Sequence, residues 1–144
     1  MLSLISNDFL FKNTLALTTN LIQNINYIKN FKFHDDELNL IFFQRDILSD
    51  IGIIKAYILE KEQEQTTPTE HHNPPSLKAA ISNLNETLYY LELNIHSLTT
   101  KIKNHHLKWF AAYRSYDIEQ EKKQIISLIQ QLNHRFDLFI KIKS

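Results

Sequence analysis

Seven histidines, His34, His71, His72, His96, His105, His106 and His134, are the side chains here best suited to chemistry near neutral pH. Imidazole both binds metal and moves protons there. Carboxylate-bridged metals inside helix bundles need a Glu-x-x-His pair from each of two helices, with further glutamates facing inward. The nearest pairs are Glu92 with His96, four apart, and His134 with Asp137, three apart. Neither pair is duplicated, and the other inward positions are aliphatic. His71 and His72 fall in a proline-rich stretch, which suits adventitious binding better than a built site. No metal ligand and no cofactor are therefore expected, and a metal-binding helix bundle is the second alternative reading.

Nucleophilic and hydrolytic chemistry lacks its parts. There is no cysteine, no glycine-rich phosphate loop and no serine elbow. Arg45, Arg114 and Arg135 have no histidine four to six residues downstream on the same helix face. His134 and Arg135 are adjacent and so point to different faces. Asp35 and Asp36 read as helix caps, where a negative charge meets the positive end of the helix dipole. No catalytic residue is assigned, and the chain is expected not to be an enzyme.

Residues 93–116 carry cations and rings without a single acidic side chain. Lys101, Lys103, Lys108 and Arg114 are interleaved with His105, His106, Trp109, Phe110, Tyr113 and Tyr116. Phosphate neutralisation and base stacking need that combination. A nucleic-acid-binding module using Lys101, Lys103, Lys108, Trp109 and Arg114 is thus the first alternative. Against it, the chain as a whole is neutral and lacks a basic footprint. Trp109 also continues an apolar seam, and cations at a helix C-terminus are favoured by the dipole alone.

The elements that must carry these residues read as helices. From Leu77 the apolar positions run Ile81, Leu84, Leu88, Leu91, Ile95, Leu98 and Ile102, then His105 and Trp109. Steps of four and three alternate throughout, which holds one stripe on one face of a rod about 48 Å long. Asn73, Pro74 and Pro75 supply a cap and a proline start. Ile118, Ile125, Ile129, Leu132, Phe136 and Phe139 repeat the pattern with Lys122 in one seam position. Asp117 and Gln120 resemble a capping box. Residues 111–116 then form a turn. Earlier, Phe9, Leu10, Leu17, Leu21, Ile25 and Ile28 mark a first helix, and Leu40, Phe43, Ile47, Ile51, Ile54 and Ile58 a second. Gln63 to Ser76 reads as the polar loop between two hairpins.

Composition agrees. The 144 residues include one glycine, Gly52, and three prolines, whereas average usage would give about ten glycines. Few tight turns are affordable, and long helices need few. The predicted fold is all-α: an antiparallel up-down-up-down four-helix bundle, one domain over 1–144, with helices near 4–29, 35–64, 76–110 and 117–142. A long coiled-coil hairpin of the third and fourth helices, with shorter helices packed on it, is the alternative. Residues 1–22 lack a basic start and a continuous apolar run, so no signal peptide is expected. No window reaches membrane-span length, and a cytoplasmic, soluble protein is expected. The net charge is zero, with −4 over 1–72 (six basic, ten acidic) and +4 over 73–144 (ten basic, six acidic).

A helix of a bundle needs about three apolar positions in seven, and the last two helices exceed that. Tyr89, Tyr90, Leu93, Leu107, Phe110 and Ile140 lie outside the seams, and such a surplus marks a docking surface. The expected function is therefore a non-enzymatic protein–protein interaction module: an adaptor, an assembly or secretion chaperone, an immunity or inhibitor protein, or a small complex subunit. Its partner is another protein or a second copy in a homodimer, with neither nucleic acid nor membrane expected.

Overall fold

The computed structural model describes residues 7–30, 36–65, 75–107 and 118–142. Five helical segments occur there, and no strand is present among the described residues. They are α1 (Asn7–Ile28), α2 (Asp36–Asn39), which continues as a π turn (Leu40–Gln44), α3 (Ile47–Gln65), α4 (Pro75–Leu107) and α5 (Glu119–Ile140). No described helix is long and apolar enough to cross a membrane.

The long helices pack against one another along their apolar stripes. All eight seam residues of α4 from Leu77 to Ile102 are buried. α4 lies along both α1 and α5, and α1 lies along α3. Directions follow from the paired side chains. Asn85 Nδ2 donates to Thr14 Oγ1 at 2.9 Å and Asn24 Nδ2 to Glu92 Oε1 at 3.3 Å, so α1 and α4 run parallel. Ser97 donates to Glu121 and Arg135 to the Asn83 carbonyl, so α4 and α5 run antiparallel. Lys29 reaches Asp46 at 3.7 Å, joining the end of α1 to the residue before α3. α3 and α5 meet mainly through rings: Tyr57 stands edge-on to Phe136 and Phe139, and its hydroxyl donates to the Ile140 carbonyl. Buried threonines satisfy themselves locally, Thr14 donating to the Leu10 carbonyl and Thr99 to that of Ile95; a short polar side chain can thus sit in the core without an orphaned hydroxyl.

Three expectations are corrected. The helix expected over 35–64 is broken at Arg45 and Asp46, where Asp46 has a φ of 51°. Before the break, the Arg45 amide reaches back five residues to the Leu40 carbonyl. After it, the Asp46 carbonyl and carboxylate accept from the Ser49 amide and start α3. The break rotates the apolar face, so Leu38, Ile41 and Phe42 are buried while Leu40 and Phe43 are exposed. In α1, Phe9 is exposed and Phe11 takes its place in the core. The loop is shorter than expected, since α3 continues to Gln65 and α4 begins at Pro75. The expected caps at Asn73 and Asp117, and helix residues 4–6 and 108–110, lie outside the described residues.

Candidate functional site

α4 has four sides, and three are occupied. One carries the buried seam. A second meets α1 through Asn85, Glu92 and Lys103, whose ammonium lies 4.7 Å from the Tyr27 ring centre. A third meets α5 through Asn83, Thr87 and Lys101. The fourth faces outward and holds Glu86, Tyr89, Tyr90, Leu93, His96 and Thr100, all exposed. Its centre is apolar and aromatic: Tyr89, Tyr90 and Leu93 are 46%, 48% and 44% exposed. The two tyrosine rings pack edge-on with centres 5.3 Å apart, an arrangement aromatic pairs favour.

Three of the six residues expected to bind protein therefore form one patch. Ile140 is exposed but falls elsewhere, on the edge of α5 that meets Tyr57 of α3. The Leu107 side chain and Phe110 lie outside the described residues. Other surplus apolar positions close the core instead: Leu128 is buried, and Ile126 and Ile142 pack partly against it.

Formal charge is scarce around the patch. Between Lys78 and Lys101, α4 carries only Glu86 and Glu92. Glu86 lies 3.6 Å from the Arg135 guanidinium, and Glu92 accepts from Asn24. Toward the start of α4, Asn83 and Ala79 continue the Tyr90 edge at steps of seven and four. There they line a cleft of about 220 Å³ with Arg135, Leu138 and Ile142.

The residues expected to bind nucleic acid are divided. Lys101 is ion-paired to Glu121 of α5, and Lys103 stacks on Tyr27. Both cations meet groups of this chain, with Lys103 exposed and Lys101 partly so. Lys108, Trp109 and Arg114 lie outside the described residues. No three histidine, aspartate or glutamate side chains converge among the described residues. Glu92 is turned to Asn24, and His96 is exposed on the outward face.

One site went unread in the sequence. Where the π turn passes α5, Leu40, Ile41, Arg45, Ile126 and Ile129 line a cleft of about 110 Å³. Nothing in the sequence signals it, because Leu40, Phe43 and Ile47 keep an unbroken three-four spacing there. No family model, curated protein or solved structure matches the chain.

Proposed function

We propose that this chain is a non-enzymatic protein–protein interaction module, of the adaptor, assembly-chaperone or inhibitor kind, that docks through the outward face of α4. One observation carries the reading. Tyr89, Tyr90 and Leu93 lie exposed on a helix whose core seam is already filled. Aromatic enrichment with depletion of charge is the composition of an interface centre rather than of free surface. The scaffold in this reading is one four-helix bundle of α1, α3, α4 and α5, with α1 and α4 as a parallel adjacent pair and a coiled-coil-like seam between α4 and α5. Rigid helices hold the three side chains in place, so binding orders little that was free beforehand.

The test is recovery of proteins bound to the tagged full chain from lysate of its native host after nuclease treatment. A protein recovered in stoichiometric amount should be lost with Tyr90→Asp/Leu93→Asp while helicity by circular dichroism stays unchanged. Recovery unaffected by the double substitution overturns the assignment of this face. Material lost to nuclease alone overturns the reading as a whole.

A further inference from the structure

We infer that the partner of the α4 face is a second copy of this chain, packed across a two-fold axis close to Tyr90 and Leu93. The inference rests on the reading of that face as a docking surface and adds its occupant. Its ground is the distribution of charge. α1 carries no charged residue between Lys12 and Lys29, and α5 none between Lys123 and Arg135. The only two carboxylates of α4 in the stretch between Lys78 and Lys101 are already engaged. α3, on the other side of α1, bears Asp50, Lys55, Glu60, Lys61, Glu62 and Glu64 within 19 residues.

A face that selects a different protein is read through complementary charge, which also suppresses wrong partners. The α4 face offers almost none to read. A two-fold contact has the opposite requirement, because the same patch meets itself and any net sign would repel its own copy. Neutral groups that both donate and accept satisfy that requirement, and tyrosine hydroxyls and asparagine and glutamine amides all do so. Area sets the extent. Each half-exposed ring brings about 100 Å², well short of the roughly 800 Å² per partner of a stable contact. The contact must therefore reach beyond the three residues. A strip about 33 Å long and about 20 Å wide, the stretch of α4 between Lys78 and Lys101 and the width of two helices, comes to about 660 Å², within the standard range per partner.

Sedimentation equilibrium of the full chain tests this. The expected result is twice the monomer mass. Leu93→Asp should shift it to monomer with helicity retained and a thermal midpoint that no longer depends on protein concentration, and Ile53→Asp, on the exposed side of α3, should leave the dimer intact. Because the chain has no cysteine, a single introduced thiol is a clean probe that does not depend on an aspartate variant folding. Under mild oxidation Leu93→Cys should form an intermolecular disulfide, which needs the two α-carbons within about 7 Å, and Ile53→Cys should not. A wild-type chain that stays monomeric at roughly 100 µM overturns the inference, as does a dimer indifferent to position 93. A monomer whose captured partner is still lost with Tyr90→Asp/Leu93→Asp would overturn the second copy while leaving the docking face in place.

Discussion

At the scale of single residues, Lys101 and Lys103, two of the four cations expected to meet phosphate, also hold elements of the fold together. Glu121 is buried; its Oε1 accepts from Ser97 and pairs with Lys101, and its Oε2 has no partner among the described residues. Removing the cation leaves a carboxylate that water reaches poorly, and a buried charge without its counter-ion is more costly than the pair is favourable. Lys101→Met should therefore lower stability by about 1–3 kcal/mol in urea unfolding. Adding Glu121→Leu should recover most of that loss; if the double variant is no better than the single, the carboxylate was not the cause. Gly52 makes the opposite case. It sits inside α3, and a methyl group added there meets nothing within 4 Å. Close packing does not require it. Gly52→Ala should stabilise the chain by about 0.5–1 kcal/mol, read as a higher thermal midpoint.

At the scale of elements, legibility followed regularity. α4 is evident from its spacing because seven successive steps of three and four leave no second phase, and all eight residues are buried. That phase also separates Leu91 from Leu93, two residues apart and pointing to opposite sides. Leu91→Ala should cost about 2–5 kcal/mol, and Leu93→Ala, measured at a concentration low enough to keep the chain monomeric, less than about 0.5 kcal/mol; equal losses in chemical denaturation would mean that the outward face is core. The stretch from Asp36 to Gln44 was misread because two phases coexist in it. Counting back from Ile47 selects Phe43 and Leu40, and only the π turn and the left-handed Asp46 make Phe42, Ile41 and Leu38 the buried set. Aspartate tolerates that conformation better than most residues and also caps α3. Asp46→Ala should thus destabilise by about 1–2 kcal/mol, and Asp46→Gly by less, since glycine restores the backbone but not the cap. The candidate site was legible by the same logic: Tyr89, Tyr90 and Leu93 were readable as off-seam. The separation of Ile140 from them was not, because which edge of α5 meets α3 depends on how the helices turn about one another.

At the scale of the whole molecule, packing is unevenly shared, and stability should be too. α4 is held along its length by α1 on one side and α5 on the other. The segment 36–44 enters the core through Leu38, Ile41 and Phe42, but among the described residues its backbone neighbours are mainly its own two turns and the start of α3. Across to α5 it is tied by Lys122, which is 11% exposed and reaches both Glu37 and Glu119 at 3.2 Å. Regions with few neighbours open without the rest, whereas central helices exchange their amides only on global unfolding. Hydrogen exchange should accordingly show amides from Ile81 to Thr99 opening with the full unfolding free energy. Those of Leu38 to Gln44 should open at least about 2 kcal/mol more easily, roughly a 30-fold difference in protection. Lys122→Gln severs the tie to Glu37 and should lower protection in that segment while leaving the centre of α4 almost unchanged. Uniform loss across both regions would instead make the segment part of one cooperative unit with α4. The difference bears on the proposed docking, because such a face must keep its shape while the rest of the molecule fluctuates. On this account the Tyr89–Tyr90–Leu93 patch stands on the last element to unfold, and the 110 Å³ cleft beside Arg45 stands on the first.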